Sequence, residues 1–227
     1  MPLHVVNHLL SSLPRKERAN VMAHCEPVEL LFGNVLCESG RPFRYLYFPI
    51  NSLISLVAIS GTHRQLELAL IGSEGMLGAT EALGLNTAPS RAVVQASGSA
   101  LRIEPLQLRH ILHESPQLLN TLNQYLYVLM KQLAQNIVCG HFHEVEPRLA
   151  RCLLMSHDRA HSDHLQLTHE LLADMLGVRR SGITIAAGAL QARNLIHYSR
   201  GRITILDRQG LQAAACECYT KLNEHSA

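Results

Sequence analysis

The sequence predicts an α+β chain in three parts: an N-terminal antiparallel β-roll, a long helix, and a C-terminal winged helix-turn-helix. Three observations carry that prediction. Short β-forming runs alternate with turn signals from Pro27 to about Ile103, and leucines then recur at helical spacing. Further on, a helix–glycine–helix block is followed directly by an arginine-bearing hairpin pattern.

Composition sets the bounds. The chain has 227 residues, 47% of them hydrophobic and 17% charged, and no Trp. That describes a globular protein with an aliphatic core rather than a disordered one. A net charge of +2 says little about partners, but its distribution says more. Arg179, Arg180, Arg193, Arg200, Arg202 and Arg208 face the single acid Asp207 between residues 179 and 208. A local basic face on a near-neutral chain points to a localised polyanion contact.

The elements follow in order. Val5, Leu9 and Leu10 give helical spacing, and a Ser-Ser-Leu-Pro break precedes "RKERANVMAH". The runs "VELLF", "YLYFP", "LISLVAI", "QLELALI", "AVVQA" and "ALRIE" are separated by "ESGRP", "SGTH", "GSEGMLG" and "ASGS". Short strands at near-regular spacing argue for an antiparallel sandwich or barrel of roughly 80 residues. Leu119, Leu122, Leu126, Leu129 and Leu133 then form a heptad seam. The seam is too short for an autonomous coiled coil, but it leads from one domain into another and is expected to pair two subunits, with Asn136 fixing register. The expected domains are a β-roll over 1–115, a dimerisation helix and hinge over 116–141, and a helix-turn-helix domain over 142–227.

In the last domain "EPRLARCLLMSHD" reads as a helix and "RAHSDH" as a polar connection. The block "LTHELLADMLGVRRSGITIAAGALQARNLI" follows. Thr168 is placed to cap a helix through Met175, with Leu171, Leu172, Met175 and Leu176 as its apolar stripe. Gly177 can end that helix in the left-handed region, and Val178 packs the turn. The second helix, from about Arg180 to Arg193, buries Ile183, Ala186, Ala187 and Leu190. It therefore exposes Arg180, Ser181 and Thr184 at its start, beside Arg179 and Thr168, at the end that meets base edges in a major groove. "YSRGRITI" adds a hairpin wing whose Arg200 and Arg202 can grip phosphates.

Taken together, the chain resembles the Crp/Fnr family of bacterial transcription regulators, relatives of the cyclic-AMP receptor protein. The resemblance spans nearly the whole length and is most specific in the block above and in "FGNVLCESG" followed by "YLYFP". It implies a cyclic-nucleotide-binding-like β-roll, a dimer helix, and recognition of one half of a palindrome by each subunit. It also implies that Arg180, Ser181 and Thr184 read bases while Arg179 lies nearer phosphate. Well-known members carry an acid after the arginine and another arginine one turn on. Ser181 and Ile185 stand in those places here, so a different operator is expected.

The sensor departs from the cyclic-nucleotide pattern. Gly75, Met76, Leu77 and Gly78 match the family's Gly-Glu-Leu-Gly turn, with Met76 where the ribose-binding carboxylate would be. Ser90, Arg91 and Ala92 match the phosphate-binding strand start with the arginine moved one place, which in a strand reverses its face. These seven residues are the candidate effector pocket, for an unidentified small molecule. Cys25 and Cys37 do not supply the clustered N-terminal cysteines of iron–sulfur members.

Other constellations carry less. His157, His161 and His164, with Asp158 and Asp163, read as a solvated connection, and "HFH" at 141–143 as a surface turn. Cys216 and Cys218 read as isolated thiols, because a C-x-C disulfide is strained. No metal and no cofactor are expected. No G-x-S-x-G, Walker or Rossmann pattern is present, so no enzyme activity is expected. The start "MPLHVVNHLL" lacks a secretory pattern and no apolar run reaches membrane length, so a cytoplasmic location without membrane contact is expected. The expected partners are double-stranded DNA, a second copy of the chain and RNA polymerase. The alternative is a cyclic-nucleotide- or metal-responsive signalling protein that acts by protein contacts without DNA, but it leaves the wing arginines without a purpose.

Overall fold

In the computed structural model, residues 7–61, 65–160 and 162–223 are described. Val5 and His161, named above, lie outside them. The chain divides into two compact units. One takes the described residues up to Val57 together with Leu70–Met130, and the other takes Ala58–Ala69 and the chain from Lys131 onward.

The first unit opens with two short helices, α1 (His8–Ser11) and α2 (Arg15–Ala23). Seven strands follow among the described residues: β1 (Glu26–Leu30), β2 (Val35–Cys37), β3 (Leu46–Pro49), β4 (Leu53–Ile59), β5 (Gln65–Ile71), β6 (Arg91–Ala96) and β7 (Gly98–Ile103), of which the last two residues of β4 and β5 up to Ala69 fall in the second unit. They form two sheets, β1-β7-β3 and β2-β6-β4-β5, with antiparallel registers throughout the β1, β2, β3, β4, β6 and β7 pairings. This is the roll that the alternation of β-formers and turns predicted. Phe48, Leu46, Ile54, Ile71, Met76 and Ile103 fill its core at 1% exposure or less.

Two helices close this part of the chain, α3 (Pro105–Glu114) and α4 (Pro116–Phe142). Proline at the first position of α3 suits the one turn where its missing N–H costs nothing. The buried stripe of α4 is Leu118, Leu122, Tyr125, Gln132 and Cys139, a heptad-like row turned into the protomer. Leu122 therefore does not belong to a free seam, as it is fully buried in its own unit. Leu119, Leu126, Leu129 and Leu133 are half-buried, while Tyr127, Met130, Ile137, Val138 and Phe142 are the large apolar residues left in solvent. Asn136 is also reassigned. Its amide donates to the Leu68 carbonyl at 2.7 Å and its oxygen accepts from Arg151 at 2.5 Å, so it is satisfied within the protomer.

The second unit adds α5 (Val145–Ala160), β8 (His164–Gln166), α6 (His169–Leu176), α7 (Arg180–Ala192), β9 (Ile196–Ser199), β10 (Arg202–Ile205), α8 (Arg208–Ala214) and α9 (Cys218–Asn223). The connection expected between α5 and α6 is partly a strand: β8 pairs with β10, and β10 with β9. Leu165 explains it, since it is buried where a purely solvated loop would leave it exposed. Leu149, Leu153, Leu172, Ile183, Leu190 and Ile203, from four different elements, share one core. Among the described residues, no helix is long and apolar enough to cross a membrane.

Candidate nucleic-acid interface

The turn between α6 and α7 forms as its residues dictate. Thr168 is the N-cap of α6, its Oγ1 accepting from the Leu171 N–H at 3.1 Å, a contact worth about 1 kcal/mol. Gly177 ends the helix at φ +64°, and the Gly177 and Val178 N–H groups return to the Asp174 and Ala173 carbonyls. That pair of bonds satisfies two of the helix's last four carbonyls and aims the chain into α7. Ile183, Ala186, Ala187 and Leu190 bury one face of α7, and Arg180, Ser181, Thr184 and Ile185 stand on the other.

The wing is a two-residue hairpin. Arg202 pairs with Ser199, leaving Arg200 and Gly201 as the loop, with φ of +49° and +79°. A tight turn of the right twist needs positive φ at both positions. Glycine takes that conformation freely, whereas arginine gives up roughly 1–2 kcal/mol to do so. The fold thus holds an arginine at the tip of the wing in a conformation its own backbone disfavours.

Contacts through the start of α6 bring wing and helix together. A side chain added at Gly201 would come within 3.1 Å of the Thr168 methyl, so the wing turn lies against the α6 cap. His169 bridges the rest. Its ring stacks on Tyr198 of β9 at 4.1 Å, and its Nδ1 meets the Thr184 hydroxyl of α7 at 3.1 Å. Burial, and then the Arg180 charge, lower its pKa. Gln191 on α7 accepts from the Tyr198 N–H at 2.7 Å and fixes the wing from the other side.

The structure sorts the basic cluster. Arg193 is tied to Glu146 at 2.9 Å, and Arg208 to Asp158 at 2.8 Å and to the Tyr219 hydroxyl at 2.9 Å. Both are scaffold. Arg179, Arg180, Arg200 and Arg202 are exposed and form no ion pair with any described residue. Thr168 and Thr184 use their hydroxyls within the fold, the second also bonding the Arg180 carbonyl at 3.1 Å. His169, Tyr198 and Gln191 are contributors that the sequence did not single out.

The candidate effector residues are distributed differently. Met76, Leu77, Ser90 and Ala92 are buried, and Leu77 exchanges backbone bonds with Tyr47. A side chain at Gly75 would run into the Tyr125 ring, and Gly78 sits at φ +92°. Arg91 is half-buried on the strand face opposite Ala92 and Val94, with Nε 3.5 Å from the Glu38 carboxylate. Glu81, not flagged by the sequence, is a buried carboxylate held by Arg109 through Oε2 at 3.1 Å.

The histidine-rich segment is structural: His157 is bracketed by Asp158 and Asp163 at 3.1 and 2.9 Å, and His164 lies on Thr204. Cys216 and Cys218 are not isolated, as sequence spacing had suggested. The fold sets them beside Cys139 and His143, whose separation along the chain hides the grouping from any local pattern.

Comparison with known proteins agrees with this geometry. Residues 147–214 match the Crp-like helix-turn-helix domain. The transcriptional regulator SdrP of Thermus thermophilus is 26% identical over 198 residues, covering 84% of this chain and 94% of that protein. Among solved structures, the c-di-GMP-responsive global regulator CLP of Xanthomonas campestris superposes with a TM-score of 0.69 at 18% identity, over 85% of this chain and 99% of that one. A transcriptional regulator of the Crp/Fnr family from Eubacterium rectale gives 0.67 at 19% identity, over 91% and 96%.

Proposed function

We propose that this chain, which belongs to the Crp/Fnr family and is a DNA-binding transcription regulator, works as a homodimer reading a palindromic operator. One observation carries the reading: Arg193 and Arg208 are held in ion pairs, whereas Arg179 and Arg180 at the start of α7 and Arg200 and Arg202 of the wing are exposed, and both segments lie against the start of α6. Arg180 and Ser181 are then base readers at the start of α7. Ile185, 74% exposed, offers an apolar contact for a thymine methyl. Arg179, Arg200 and Arg202 hold phosphates and set register. Helix α4 continues from one unit into the other, and through it a small-molecule effector or protein partner at the β-roll would bias two recognition helices. A cytoplasmic protein that hands this signal to RNA polymerase completes the proposal.

The test is selection of bound sequences from a random DNA pool with the full-length protein. The expected product is an inverted repeat with half-site centres about one helical turn, roughly 10 base pairs, apart. Failure to enrich any sequence, or enrichment of a single half-site, overturns the reading.

A further inference from the structure

A second group of side chains converges outside the α6–α7 turn and the wing. Cys139 lies in the last turn of α4 and His143 directly follows that helix, Cys216 stands two residues before α9, and Cys218 opens it. Three sulfurs and one imidazole nitrogen, one from each residue, lie within 4.8 Å of one another. We propose that Cys139, His143, Cys216 and Cys218 form a binding site for a single thiophilic divalent ion of the zinc class.

The spacing is that of one tetrahedral ion. Bonds of about 2.3 Å to sulfur and about 2.0 Å to nitrogen put neighbouring ligand atoms roughly 3.5–3.8 Å apart. The Cys139 and Cys216 sulfurs are 3.5 Å apart, and the Cys218 sulfur is 3.5 Å from His143 Nδ1. A polynuclear iron–sulfur cluster divides its four protein ligands among two or four irons, which spreads them further apart than a single ion does. A Cys139–Cys216 disulfide would use two of the sulfurs and leave no role for His143 and Cys218.

The surroundings match what such a site needs. His143 presents its other nitrogen, Nε2, to the Glu217 carboxylate at 3.1 Å, the orientation that frees Nδ1 for a metal. Gln135 donates to the Cys218 sulfur at 2.9 Å. All three sulfurs belong to buried residues, which excludes competing water. Three thiolates around a divalent ion carry one net negative charge, and buried Arg151, bonded to Asn136 one turn before Cys139, brings a cation to this end of α4. Each thiol that ligates gives its proton to solvent, with no change of oxidation state. The ion would staple the end of α4 to a segment 77 residues further on. This inference does not depend on the DNA-binding reading.

The test is titration of reduced, full-length protein with Co²⁺, followed by Zn²⁺. One equivalent of cobalt should produce the intense visible bands of a tetrahedral thiolate site, and zinc should bleach them. Cys216→Ser and His143→Ala should lose those bands, and Cys25→Ser should keep them. Glu217→Gln alters an exposed side chain and should weaken binding by about 10–100-fold without loss of fold. No cobalt spectrum from reduced wild type, or an unchanged one from Cys216→Ser, overturns the proposal. So does protein that is brown and carries iron with labile sulfide.

Discussion

The imidazole of His169 lies nearly flat on the phenol ring of Tyr198, 4.1 Å between centroids and 21° from parallel. This contact, with the Nδ1 bond to Thr184, locks wing and recognition helix into one surface. The pKa of His169 is lowered from 6.5, by burial first and the Arg180 charge second. The unfolded chain therefore takes up this proton at a higher pH than the folded one. The stabilisation is full at neutral pH and is lost as the pH falls below 6.5. Lowering the pH from about 7 to about 5.5 should depress the unfolding midpoint more in wild type than in His169→Gln. Parallel pH profiles for the two proteins would remove His169 from this role.

The arginines should separate into three behaviours. Arg180→Ala should lose about 1–3 kcal/mol on the selected operator and relax preference at one position per half-site. Arg202→Ala should weaken all sequences alike and reduce the salt slope by roughly 1 per subunit. Arg193→Ala, which breaks the ion pair with Glu146, should leave the salt slope unchanged. Equal losses from Arg180→Ala on operator and random DNA would sink the base-reading assignment.

Assembly should depend on the solvent-facing side of α4. Tyr127, Met130 and Ile137, 63%, 66% and 73% exposed, follow a heptad row and form an apolar stripe. Met130→Glu with Ile137→Glu should give monomers and a collapse of operator affinity, because two half-sites must be engaged together. Leu122→Asp should instead unfold the protomer, since it buries an unpaired charge. A double variant that still sediments as a dimer would place the seam elsewhere.

What the sequence made legible was local. Thr168, Gly177 and the 183/186/187/190 spacing act within a turn or two of themselves, so cap, turn and buried face could be read directly. The direction of α4 could not. Leu122 and Met130 both obey helical spacing, and only the rest of the fold decides which is covered. Nor could the fates of Arg193 and Arg208, whose acids lie far back on α5. The cysteine–histidine grouping was hidden for the same reason, as proximity across 77 residues leaves no trace in spacing.

Cyclic AMP should not be the effector. Its ribose hydroxyl needs a strong acceptor and its phosphodiester needs a free cation. Met76, at 1% exposure, is a core side chain with only a thioether to offer. A hydroxyl buried there without a partner loses about 1–3 kcal/mol. Arg91 stands on the strand face opposite buried Ala92 and Val94 and is already beside Glu38, so a phosphate would have to displace that carboxylate and re-aim the guanidinium. A local bulge could do the re-aiming, but β6 keeps a continuous register with β4 from Val94 to Arg91. Calorimetric titration of cyclic AMP and cyclic GMP should therefore show weak binding, and operator affinity should be the same with and without either nucleotide. Micromolar binding that also raises operator affinity would overturn this.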